Sequence, residues 1–163
     1  MAEKVPQVLR LYRSLQKLSP RGWLFSRLIC WRAPYFASIR PRIAQLAPGH
    51  CAVEIEQRRH VQNHIGTVHA IALCNMAELA AGLVIEASLS TRMRWIPKGM
   101  EVSYLAKAKG RMRAEATPQN ALAVASEGYD APIAVRVTDA AGTEVFRALI
   151  RMWVTPKPQR QPA

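Results

Sequence analysis

Glu78 stands inside a long apolar stretch, Val68 to Leu89, between Ala77 and Leu79, with Ala80 and Ala81 close behind. A carboxylate enclosed there meets low dielectric, the environment that tunes an acid for proton transfer. On a helical wheel Glu78 shares a face with Ile71, Cys74, Asn75, Ala81 and Gly82, so small groups leave room beside it. Upstream, Asn63-His64-Ile65-Gly66-Thr67-Val68-His69-Ala70 reads as a loop running into a helix start. Gly66 permits close backbone approach, and the unpaired amides of a helix start can polarise a carbonyl or hold an oxyanion. Thr67 suits either that site or simple N-capping. Glu78, likewise, suits either catalysis or pairing with one of the many arginines.

Other reactive side chains carry weaker signals. Cys74 reads as core, because nothing beside it would stabilise a thiolate. His50, His60, His64 and His69 cluster near the loop but lack metal-ligand spacing, so no metal is expected, and His69 reads as a positioning or hydrogen-bonded histidine. GxSxG, GxGxxG and Walker-type glycine loops are missing, which removes the commonest hydrolase, dinucleotide and nucleotide readings.

These residues need a scaffold. Val68–Leu89 supplies a helix apolar almost all round, to be wrapped by other structure. Cys51, Val53 and Ile55 alternate with Ala52, Glu54 and Glu56 as in a half-buried strand that begins at the Pro48-Gly49 turn. Strands are expected near 92–105, 110–117, 133–138 and 144–154, with a turn at Asp139–Gly142 and a strand or loop at 121–126. The order is α+β: one helix against an antiparallel sheet. Before position 47, short amphipathic helices over 5–18, 23–31 and from Pro34 form a lid. The division is therefore a basic helical extension (1–46), a main domain (47–155) and a disordered tail (156–163).

The 163 residues carry 23 Lys and Arg against 11 Asp and Glu, a net charge of +12, with nine of the basic residues and a single acid in the first 50. Three widely spaced cysteines fit reduced thiols and a cytoplasmic location.

At Asn63, Gly66-Thr67-Val68-His69-Ala70-Ile71 and Glu78 the sequence resembles the single-domain hotdog-fold acyl-coenzyme A thioesterases related to the phenylacetate-pathway enzyme. Val102-Ser103-Tyr104-Leu105 and Val137-Thr138-Asp139 with Gly142 resemble later strands of that family, so the likeness spans about 47–155. The resemblance implies a long helix wrapped by an antiparallel sheet, and a homodimer or homotetramer with sites built between subunits. It assigns Glu78 as general base or nucleophile, the Ala70 amide as oxyanion donor and Asn63 as the group that orients substrate or water. His69, Gly66, Thr67, Asn75 and Lys98 complete the expected site. Coenzyme A enters only as part of the substrate, and no further cofactor is implied. Two positions depart from the pattern: Ala70 and Ile71 replace paired glycines, and Pro97 and Lys98 stand near the usual hydroxyl-bearing position.

Arg92, Arg94, Lys98, Lys107, Lys109, Arg111 and Arg113 would attract coenzyme A phosphates or form a solvated face. Nothing beyond net charge points to nucleic acid, so no specific nucleic-acid partner is expected. Trp23, Phe25, Trp31 and Tyr35 either touch an anionic membrane or, more simply, pack on the sheet or a second subunit. The rival to an enzyme is a non-catalytic hotdog module that binds an acyl group or a protein.

Overall fold

The computed structural model describes residues 5–19 and 21–158. Six antiparallel strands form one sheet: β1 (Arg42–Ala47), β2 (His50–Ile55), β3 (Met93–Tyr104), β4 (Met112–Pro118), β5 (Tyr129–Thr138) and β6 (Glu144–Pro156), in the order β1-β2-β4-β5-β6-β3. Helix α3 (Ala70–Ser88) lies on the sheet against β2, β4 and β5. Its side chains run Ala, Leu, Met, Val and Ile almost all round, and twelve of its residues are buried. The helix is long and apolar enough to cross a membrane, but here it is the core about which the sheet wraps. This is the hotdog arrangement.

The side of α3 turned away from the sheet is covered by α1 (Gln7–Leu18) and the 3-10 turn Pro34–Ile39. Helix α2 (Trp23–Arg32) links these to β1. Its entry is fixed by Gly22, whose backbone is left-handed at φ 72° and where an added Cβ would stand 2.2 Å from the Ile43 carbonyl oxygen. The buried Ser26 hydroxyl donates to the Gly22 carbonyl (2.7 Å) and accepts from the Ile43 N–H (2.8 Å), clipping α2 to the first strand. Inside the extension, Tyr12 and Phe25 stack edge to face with ring centroids 5.1 Å apart.

Three expectations need correction. The sheet begins at Arg42, not at 47: Pro48-Gly49 is the turn of a β1–β2 hairpin. A bulge between Ile43 and Gln45 puts the buried Ile43 and Leu46 three residues apart, which hides the two-residue repeat. Second, β5 starts at Tyr129 rather than 133 and carries Pro132 within it; of the two readings offered for 121–126, the loop is the one seen. Third, the tail is ordered as far as it is described. Pro156 pairs with Met93, and Lys157 bonds to the Arg92 and Thr91 carbonyls; the remainder, 159–163, lies outside the described residues.

Candidate active site

The loop before α3 is organised by one side chain. The Asn63 carboxamide oxygen accepts from the amides of Thr67 (3.0 Å) and Ile65 (3.2 Å), and its nitrogen donates to the Thr67 hydroxyl (2.7 Å). Gly66 takes the left-handed backbone (φ 75°) that this tight turn requires. The cap of α3 is His69, not Thr67: its Nδ1 accepts from the Ile71 amide (3.1 Å), which leaves the buried Thr67 to serve Asn63. The next amides, of Ala72 and Leu73, turn back to the His69 carbonyl. The Ala70 N–H is left with no acceptor among the described residues. A free amide at a positive helix end is a donor that a developing oxyanion can use.

Helix α3 carries two acids. Glu86 accepts from the Trp95 indole N–H (2.7 Å). Glu78 makes no hydrogen bond or ion pair among the described residues, so within one chain it is not an arginine's partner. It is half-buried rather than enclosed, and lines a cavity of about 620 Å³ between α3 and the extension. The walls are chiefly apolar: Val8 and Leu11 from α1, Ile29 and Trp31 from α2, Phe36, Leu83, Trp95 and Pro97. Gly82 belongs here because a Cβ at that position would press on the Trp95 ring at 3.1 Å. The buried Asn75 donates to the Ser38 hydroxyl (3.1 Å), while its carboxamide oxygen has no partner, one helical turn from Glu78.

Glu78 and the Ala70 amide are eight residues apart on one helix, which separates them by about 12 Å along its axis. One chain therefore cannot present both to the same carbonyl group.

Lys98 does not line this cavity. It sits in the bulge between Pro97 and Gly99 and turns to the outer face, where its ammonium lies 3.5 Å from Asp130 and over the Trp153 ring. Cys74 is half-buried, with its sulfur 3.3 Å from the Tyr104 hydroxyl; that hydrogen bond, with burial, pushes the Tyr104 pKa up to about 12. Burial likewise pushes the Cys51 thiol up to about 12. Among the described residues no three His, Cys, Asp or Glu side chains converge as a metal site. Of the extension's aromatics, Phe25 is core, whereas Trp23 (56% exposed), Trp31 (78%) and Tyr35 (70%) stand open instead of packing on the sheet. The lid expected from the three- and four-residue apolar spacing of α1 does cover this face of α3, and Val8 and Leu11 supply its wall beside Glu78.

No curated protein matches the chain. Solved structures do. A structural-genomics protein is 43% identical, covering 92% of this chain and 99% of its own, with a TM-score of 0.79. A Pseudomonas aeruginosa protein of unknown function, called a probable thioesterase, is 22% identical over 82% of this chain and 95% of its own (TM-score 0.72). A Haemophilus influenzae thioesterase is 12% identical over 78% of this chain and 87% of its own (TM-score 0.67). The last two establish a shared fold with thioesterase-family proteins. From Arg21 in the extension to Val154 in the last strand, residues 21–154 match one family, and the chain belongs to it: the domain of unknown function DUF4442.

Proposed function

We propose that the protein hydrolyses acyl-coenzyme A thioesters in sites shared between two copies of the chain. The observation that carries this reading is the unpaired Glu78 carboxylate at the edge of an apolar cavity. In the reaction Glu78 takes a proton from water, and the hydroxide adds to the thioester carbonyl carbon. The oxyanion is held by the Ala70 amide of a second copy. Collapse breaks the carbon–sulfur bond, and the proton passes from Glu78 to the departing thiolate, giving a carboxylic acid and a thiol. The same carboxylate can instead attack the carbonyl carbon, breaking the carbon–sulfur bond to give an anhydride and a thiolate; water then opens the anhydride to the carboxylic acid and the Glu78 carboxylate, and the thiolate takes its proton from solvent. Asn63 acts by holding the loop that aims the helix start, with Gly66 and Thr67 as its turn.

A second copy is required by the separation of about 12 Å along one helix. The long edge strand β3, with Ile96, Val102 and Tyr104 exposed, is where it would add, because an unpaired apolar edge templates strand pairing. A cytoplasmic homodimer or homotetramer is the assembly this reading expects.

One observation favours the rival module that binds without turnover: Ile71 projects, exposed, beside Ala70 where two glycines would leave space. Hydrolysis across a panel of acyl chain lengths separates the two readings. The parent should turn over at least one chain length, with Glu78→Ala and Asn63→Ala both slower. Equal rates in all three proteins would remove the site; no hydrolysis of any thioester would favour the module.

A further inference from the structure

A second groove, of about 840 Å³, lies between α2 and the open end of the β1–β2 hairpin. Arg27, Arg40, Arg42 and Arg58 line it, with Trp23 and Trp31 on the helix side. Its two acids are already held: Glu54 by Arg42 and Arg113, Glu56 by Arg111. Arg27, Arg40 and Arg58 have no carboxylate partner among the described residues, and all three are exposed. The Arg27 guanidinium lies 5.2 Å from the Trp23 ring centroid, a cation–π contact on the groove's helix side. Arg40 is the one described non-glycine residue with positive φ (46°), a strained backbone held at the groove wall. Unpaired guanidinium groups select phosphate, and exposed indole faces stack on flat rings.

Trp31 lines this groove and also the Glu78 cavity. The two hollows therefore adjoin at that side chain. We propose that the α2–hairpin groove binds a nucleoside phosphate, the nucleotide end of a coenzyme A thioester, with its phosphates on Arg27, Arg40 and Arg58 and its base on Trp23 or Trp31. The link to a thioester rests on the hydrolase reading above; the groove's selectivity for a nucleoside phosphate does not.

Calorimetric titration of the full chain with adenosine 3′,5′-bisphosphate tests it without any thioester. The parent should bind, and the combined variant Arg27→Gln, Arg40→Gln, Arg58→Gln should bind about tenfold or more weakly, as should Trp31→Leu. Because those arginines hold no carboxylate, their loss leaves no charge unpaired in the fold. In kinetics the triple variant should raise KM for an acyl-coenzyme A about tenfold while changing KM for the matching N-acetylcysteamine thioester less than about twofold. Bisphosphate binding in a parent that hydrolyses neither thioester would sink the hydrolase reading and leave the groove standing. No binding by the parent, equal binding by the triple variant, or binding to phosphatidylglycerol vesicles without bisphosphate binding would overturn the proposal.

Discussion

Glu54 and Glu78 are both carboxylates withdrawn from bulk water, and their surroundings could hardly differ more. Glu54 is only 8% exposed, and Arg42, Arg111 and Arg113 converge on it, Arg113 at 2.8 Å. Burial pushes its pKa up, but the hydrogen bonds from Arg42 and Arg113 outweigh that, and the group is held below the ordinary carboxylate range. Glu78 has more access to solvent, a mostly apolar cavity wall and no partner among the described residues. A paired acid in a closed cluster is fixed as an anion and serves the fold. An unpaired acid at a cavity wall has its lone pairs free for something that enters.

The contrast breaks first at Glu78. Replacing it by Ala or Gln should cut turnover about 10²–10⁴-fold, the usual range for removing a general base, and leave the unfolding midpoint almost unmoved. A large loss of stability with Glu78→Gln would mean the carboxylate has a structural partner after all. Glu54→Ala should do the reverse, costing about 2–3 kcal/mol because the charge-assisted hydrogen bonds from Arg42 and Arg113 are lost together, with turnover per folded molecule unchanged. Chemical denaturation checks it.

Removing the clip behind α2 is the next largest effect: Ser26→Ala leaves the buried Ile43 N–H unsatisfied and should cost about 1–3 kcal/mol in the same measurement. A pH series sharpens the difference between the acids. With its folded pKa depressed, Glu54 contributes stability that is present above the unfolded carboxylate value of about 4.3 and lost as pH falls through the folded one. Melting temperatures from neutrality to pH 3 should thus fall less steeply for Glu54→Gln than for the parent; parallel curves would contradict the assignment. The smallest change is expected at Asn75. Asn75→Ala should alter stability by only about 1 kcal/mol in the same denaturation measurement, since only the Ser38 hydrogen bond is lost.

Much of the architecture was legible because it is written in local periodicity. The run of Ala, Leu, Met and Ile in α3 needs a wrapping sheet whatever else the chain does, and the strands after it alternate plainly. β1 escaped notice because its bulge breaks the repeat that reveals a strand. Glu54 looked like the solvent-facing partner of Val53 and Ile55; its arginine neighbours come from β1 and β4, and such pairings are absent from any local window. Lys98 is hidden for the same reason as β1: a bulge between Pro97 and Gly99 breaks the alternation that would tell its face. The Asn63 loop was legible as a turn, yet the capping role of His69 and the freedom of the Ala70 amide depend on hydrogen-bond partners that spacing does not specify.

Gly22 and Ser26 carry one more implication. Since the carbonyl of Ile43 leaves no room for a β-carbon and its amide relies on a helical hydroxyl, the leading helices are not an ornament that could be trimmed from a self-sufficient barrel. Deletion mutants ending before Arg42 should yield insoluble material, and any swap of this segment between relatives would have to carry its docking glycine and serine along.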